Sequence, residues 1–142
     1  MIRMGCKTVR TTIPSRGNGE IQDITVRVNE AVASSELNCG LVTVFVSGST
    51  AGVTTIEYEQ GLLRDFSEAL ERLVPKGIPY AHHAAWHDDN GHSHVRASLL
   101  GPSLSIPFAH GKPTLGTWQQ IVLVDFDTQP RQRELIIQIL GE

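Results

Sequence analysis

The sequence predicts an α+β fold: a single compact domain, mostly antiparallel or mixed β-sheet, with two or three helices. Three observations point there. Residues 41–46 form an unbroken β-branched and aromatic run. Residues 60–74 carry an apolar stripe at helical spacing. Two strand-like segments close the chain with only a short turn between them. Strand and helix patterns do not alternate regularly, which argues against a doubly wound parallel sheet. At 142 residues the chain is expected to form one domain over residues 1–142, large enough to bury a core without disulfide or metal staples.

Taken in order, residues 4–12 alternate loosely and include Thr8, Val9, Thr11 and Thr12, so a first strand ending at Pro14 is expected. Residues 15–19 have turn chemistry, and residues 20–24 read as a short continuation or partner strand. Ile24, Val28, Ala31 and Val32 then recur at helical intervals, with Asp23 suited to the N-cap and Asn38-Cys39-Gly40 to the stop. The run at 41–46 has the pattern of a strand buried on both faces. Residues 47–52 break it, and residues 53–57 resume extended structure. In the 60–74 helix, Leu62, Leu63, Phe66, Leu70 and Leu73 form the apolar stripe. Arg64, Asp65, Glu68, Glu71 and Arg72 cover its outer face, and Pro75 with Gly77 ends it. Residues 94–100 have helical character, 103–108 form a short strand, and 111–116 a turn. Residues 117–127 and 133–140 are strands on either side of Gln129-Pro130-Arg131, expected to close the chain as a β-hairpin.

Composition removes several function classes. The net charge of −3 leaves no basic footprint for nucleic acid. No apolar run approaches the roughly 18 residues needed to cross a bilayer. The N-terminal residues lack the apolar core and cleavage site of a secretory signal. Cys6 and Cys39 are lone thiols without Cys-x-x-Cys spacing, as expected of a reducing cytoplasm. No internal repeat of solenoid period occurs.

The chemistry concentrates elsewhere. Five of the six histidines, His82, His83, His87, His92 and His94, fall in one segment with Asp88, Asp89 and Asn90. Neutral imidazole is the commonest ligand for zinc, and two or three of them leave a coordination position open for substrate. The competing reading is a solvated His-rich loop. His92 and His94 share a side only if the backbone is extended, whereas a helix starting near Asn90 aligns Asn90, His94 and Ser98. His82 must then arrive from the preceding strand or loop, and His83 and His87 have a weaker case. Glu57 ends a Thr-rich strand and is either a ligand, a partner of histidine or a general base, or else a surface acid heading the next helix. Residues 48–52 resemble a small-residue anion nest but lack the lysine of a Walker loop, so an ordinary turn explains them equally. Arg131 and Arg133 can take a phosphate or carboxylate, or simply stand exposed on a hairpin. Trp118 reads as core or subunit interface. No Gly-x-Ser-x-Gly elbow supports a serine hydrolase.

Five separated blocks resemble one family in its own order: Ser49-Thr-Ala-Gly-Val-Thr-Thr-Ile-Glu57, Tyr80-Ala-His82, Asp89-Asn-Gly-His-Ser-His94-Val-Arg-Ala-Ser-Leu-Leu-Gly101, Leu115-Gly-Thr-Trp-Gln119 and Pro130-Arg-Gln-Arg133. The chain is similar, from about Cys6 to Leu140, to the small YjbQ-type proteins, also described as secondary thiamine-phosphate synthases. That resemblance implies a compact α+β subunit, a homotrimer, and a divalent metal held by histidines in a surface cleft, zinc above all, with magnesium suited to pyrophosphate chemistry. Carried over by position, His82 and His94 are the ligand candidates. Thr54, Glu57, Asn90, Ser98, Gln119 and Arg131 match other polar positions of the pattern. Many members carry histidine where this sequence has Gly48, and His92 is the candidate substitute. Glu57, Asn90 and Arg131 are thus expected to be catalytic, and Thr54, Ser98, Gln119 and Arg133 to bind substrate. The implied activity joins a hydroxymethylpyrimidine diphosphate to a thiazole phosphate with loss of pyrophosphate. Its alternatives are metal-dependent hydrolysis of a small ester, amide or phosphate, with Glu57 as base, and a non-catalytic trimer binding a metal or small ligand. The expected partner is a small phosphorylated molecule, with no nucleic acid or membrane.

Overall fold

A computed structural model describes residues 4–142. Met1 to Arg3, which open the expected domain span, lie outside the described residues. The elements run β1 (Gly5–Ser15), β2 (Glu20–Asp23), α1 (Thr25–Ser34), β3 (Gly40–Ser47), β4 (Ala51–Ile56) and α2 (Gln60–Leu73). They continue with α3 (Ala81–Trp86), α4 (Gly91–Leu100), β5 (Ser103–Ala109), β6 (Lys112–Pro113), β7 (Gln120–Asp125) and β8 (Arg131–Gly141). The α+β class holds. The described residues form four helices, because the His-rich segment itself folds into α3 and the start of α4.

Two antiparallel sheets carry the fold, one of five strands in the order β1-β8-β3-β5-β6 and one of three in the order β2-β7-β4. Their facing sides make the main core. Val42, Val44 and Val46 of β3 and Leu135, Ile137 and Ile139 of β8 meet Val53 of β4 and Ile121 and Leu123 of β7, with Val28 and Val32 of α1 in the same cluster. A second core lies on the other face of β7, where Val122, Val124 and Phe126 pack with Leu70 of α2 and Ala97 of α4. The order is therefore sheet, sheet, helix layer.

This layering corrects several expectations. The strand buried on both faces is β7, whose residues from Ile121 to Asp125 are all buried. In β3, burial alternates: Val42, Val44 and Val46 point inward, while Leu41 and Phe45 face outward, 49% and 38% exposed. A continuous apolar run therefore serves two surfaces here and not one deep core. The closing β-hairpin does not form. β7 belongs to the three-stranded sheet and β8 to the five-stranded one, so residues 126–130 carry the chain from one sheet to the other. That crossing puts the end of β7 and the start of β8 beside the β3–β4 turn. β1 continues through Pro14 to Ser15, because β1 pairs only with β8 and an edge strand tolerates proline. Asp23 does not cap α1 from the N-cap position, which Ile24 takes; its Oδ1 accepts from Thr25 N at 2.9 Å. α1 ends at Ser34, before Asn38. On α2, Leu73 is 74% exposed, and Val74 takes the buried position instead.

Candidate functional site

The His-rich segment is held in place from both ends. Arg96 on α4 donates through Nε and Nη2 to the Val74 carbonyl at 3.0 and 2.7 Å, and through Nη2 to Glu71 Oε2 at 2.6 Å. This satisfies a carbonyl just past the end of α2 and ties α2 to α4. α3 closes at His87, whose left-handed backbone (φ 54°) returns its N–H to the His83 carbonyl. The next helix starts against α3 with no room to spare. A Cβ on Gly91 would overlap Tyr80, reaching its Cγ at 2.7 Å, and would lie 3.0 Å from His83 Nε2. Only glycine fits that approach. His83 Nε2 accepts from Gly91 N at 3.1 Å, so His83 braces the helix junction.

The consequence is a pairing of His82 from α3 with His94 from α4, ring centroids 4.3 Å apart. His82 Nδ1 lies 3.3 Å from Asp88 Oδ1, an ion-pair distance without hydrogen-bond alignment, and this buried nitrogen makes no hydrogen bond. Both rings open on a pocket of about 400 Å³ lined also by Gly48, Ser49, Thr50, Trp86, Asp88, Asn90, Asp127, Arg131 and Arg133. The turn between β3 and β4, the α3–α4 junction and the β7–β8 crossing each supply one wall.

A dense polar network forms the floor. Arg133 donates to both oxygens of Asp125, Nε to Oδ2 at 2.7 Å and Nη2 to Oδ1 at 2.8 Å, and its Nη2 also donates to Thr50 Oγ1 at 2.6 Å. Thr50 Oγ1 donates to Asp127 Oδ2 at 2.9 Å, and Arg131 Nε donates to the same oxygen at 3.0 Å. Burial alone would raise the Asp127 pKa. Hydrogen bonds from Gln129 N, Thr50 and Asn90, with the Arg131 charge, overcome it and hold the carboxyl below its ordinary range. Asn90 Oδ1 in turn accepts from Thr128 N at 3.2 Å, so Asn90 stitches the start of α4 to the crossing. Burial pushes the His94 pKa down, and neighbouring His82 adds to the effect against the opposing pull of Asp88, Asp127 and the Ser49 backbone. A neutral His94 has a lone pair to offer.

The structure thus gathers His82, His94, Asn90, Arg131 and Arg133 around one pocket. The other sequence candidates lie apart. His92, two residues from His94 on a helix, points elsewhere: it is 2% exposed, its Nδ1 has no partner, and its ring sits 6.5 Å from that of Tyr80. Ser98 faces a smaller neighbouring hollow shared with Gly48, Ser49 and His94, and its Oγ donates to the His94 carbonyl at 2.8 Å. Thr54, Glu57 and Gln119 are absent from the pocket lining. Ala51, at the other end of β4 from Ile56, follows the Thr50 that lines it. Gln119 Nε2 donates there to Thr55 Oγ1 at 3.2 Å, and Glu57 is exposed. Trp118 is 74% exposed.

Sequence reasoning reached Thr50 only within the 48–52 turn and missed Asp125 and Asp127. A usable signal existed, because two acids spaced by two close the apolar run of β7 and two arginines spaced by two open β8. Alternate acids and alternate arginines on either side of one short connection imply an ionic cluster.

Among the described residues, no group of three His, Cys, Asp or Glu side chains is gathered as a complete set of metal donors. Two adjacent imidazoles, one with a buried and unsatisfied nitrogen, nevertheless fit a divalent cation chemically. Asp88 Oδ1, 3.3 Å from that nitrogen, adds a carboxylate beside them.

Residues 9–142 match the family described as UPF0047 protein YjbQ-like. A UPF0047 protein of Archaeoglobus fulgidus is 40% identical over 129 residues, covering 91% of this chain and 98% of that protein. The UPF0047 protein YjbQ of Escherichia coli O157:H7 is 30% identical, covering 96% and 97%. Among solved structures, a YbjQ-like protein of unknown function from Sulfolobus solfataricus superposes with a TM-score of 0.93 at 31% identity, covering 99% of this chain and 100% of that one. A hypothetical protein from Aeropyrum pernix superposes with a TM-score of 0.88 at 33% identity, covering 96% and 99%. With sequence and fold in agreement over nearly its full length, the chain belongs to the UPF0047 YjbQ-like family.

Proposed function

We propose that the chain is an enzyme that binds a divalent cation at His82 and His94 and acts on a small phosphorylated molecule held in the same pocket. The carrying observation is the convergence of two imidazoles from separate helices with two arginines on one 400 Å³ pocket. The proposed reaction is the coupling implied by the family resemblance, thiamine-phosphate formation with departure of pyrophosphate. Zinc suits the imidazole donors best, and magnesium the pyrophosphate. When bound, the cation supplies positive charge to a leaving phosphate group.

The chain's own residues divide the remaining work. Arg131 and Arg133 orient the anionic end by directed hydrogen bonds. Asp88 offers a carboxylate beside the His82 ring, and Asn90 fixes the wall that carries His94. Trp86, 72% exposed at the rim, offers an indole face to a flat heterocycle. Glu57 lies off the pocket, so neither reading draws a base from it within one subunit, and coupling is proposed on the family resemblance. The subunits are proposed to assemble as a homotrimer.

Two measurements test this. Elemental analysis of His94→Ala against wild type is expected to show loss of bound zinc with the thermal unfolding curve retained; equal zinc content removes His94 from the site. Product analysis with both heterocyclic substrates is expected to yield thiamine phosphate and pyrophosphate. Turnover of one substrate with water alone would favour hydrolysis.

A further inference from the structure

Arg133 is only 5% exposed, yet its guanidinium is not fully used. Nε and Nη2 are committed to Asp125 and Thr50. Nη1 has no hydrogen-bond partner among the described residues. Nη1 is not sealed off from the pocket, and an open guanidinium N–H on a pocket wall is a place where a bound acceptor can be held. Gly48 determines whether that nitrogen is reachable. A Cβ built on Gly48 would lie 2.6 Å from Nη1 and 3.7 Å from Cζ. With no side chain at position 48, Nη1 stays uncovered on the wall it shares with Gly48. Arg131, two residues earlier and on the same face of β8, lines the same pocket with half of its side chain exposed.

We propose that Gly48 and Arg133 form an oxyanion subsite that takes a phosphate group of the small-molecule ligand through Nη1, with Arg131 completing it from the rim. Asp125 and Asp127 balance the two arginines in formal charge, so the subsite works by directed donation and not by bulk positive potential. A phosphate carries more charge and more acceptor oxygens than a carboxylate, so two guanidiniums on one wall favour it. Gly48 is then the position that leaves Nη1 in place in this chain, since a Cβ there would require the guanidinium to shift. The inference rests on the reading of this pocket as the functional site, but not on the cation.

Calorimetric titration of inorganic phosphate and pyrophosphate into the whole chain with EDTA present tests the proposal. Wild type is expected to bind both, more tightly than acetate. Gly48→Ala adds a single methyl against Nη1 and is expected to weaken binding by about tenfold, the equivalent of one charge-assisted hydrogen bond. Arg131→Gln, at the exposed rim, is expected to weaken it less. Thermal melts of both variants verify that the chain is folded. Anion binding that is absent in EDTA, unchanged in Gly48→Ala, or matched by acetate overturns the subsite. Zinc content measured on the same wild-type sample separates the two readings. Phosphate binding without zinc binding sinks the cation alone, and zinc binding without phosphate binding in EDTA sinks the subsite alone.

Discussion

Asp125 and Arg133 meet almost out of reach of water, their side chains 1% and 6% exposed. Burying two charges is expensive, and only near-ideal geometry repays it. Here both carboxylate oxygens accept, at 2.7 and 2.8 Å, and Thr50 takes a further donor. Breaking one partner should therefore cost far more than the pair contributes. Asp125→Ala strands a buried guanidinium and is expected to lose about 3–5 kcal/mol of stability. Arg131 also pairs with a buried acid, Asp127, but is itself 53% exposed. Arg131→Ala should cost only about 1 kcal/mol, because solvent screens its charge and other donors still satisfy Asp127. Urea unfolding of the two variants measures both values. Equal losses would mean that burial does not govern this cluster.

At the scale of elements, α2 shows how a local signal survives folding. Glu59 accepts from Gly61 N and Leu62 N at 2.8 and 2.9 Å, satisfying two donors at the start of the helix. Those two hydrogen bonds lower its pKa from the ordinary 4.5. A depressed carboxyl contributes stability that is present above its unfolded value and is lost as pH falls through the folded value. Glu59→Gln should thus melt below wild type at neutral pH, and the gap should close as pH drops well below 4.5. Circular-dichroism melts across that range measure it, and a gap that persists in acid would contradict the ionised cap. The helix stripe and its charged outer face were readable because i, i+4 neighbours lie close in sequence. The same periodicity aligned Asn90, His94 and Ser98 on α4, and once that helix is granted it turns His92 away. What could not be read was which strand pairs with which. Alternation along β7 and β8 encodes faces, but a partner tens of residues away leaves no local trace, so a short turn read as a hairpin was in fact a crossing between sheets. The polar floor of the pocket exists only because of that crossing. Residues 82 and 94 were found from residue type, whereas Asp125 and Asp127 left only a spacing whose partners the crossing reveals.

In the whole molecule, the outer face of the five-stranded sheet leaves apolar side chains exposed among the described residues. The inward residues of β3 and β8 fill the core. The outward ones include Leu41, Phe45 and Leu140, 49%, 38% and 46% exposed. Leu41 stands opposite Leu140 and Phe45 opposite Ile136, two apolar pairs with Thr43 opposite Gln138 between them. Thr43 bonds Ser105 and Gln138 bonds Thr8 along the sheet. Exposed apolar pairs interspersed with polar groups suit a subunit contact. Under the proposed trimer, Phe45→Glu combined with Leu140→Glu should give particles of one-subunit mass in light scattering, where wild type gives three. His82, Asp88 and His94 all come from one chain, so zinc per subunit should be unchanged in that variant. Thr54, Glu57 and Gln119 lie away from their own subunit's pocket, and a role for them in the chemistry requires a neighbour's. Turnover lost with zinc retained would assign them to the adjoining subunit. A wild type that is already monomeric, or zinc lost together with assembly, would overturn the trimer or the single-chain metal site respectively.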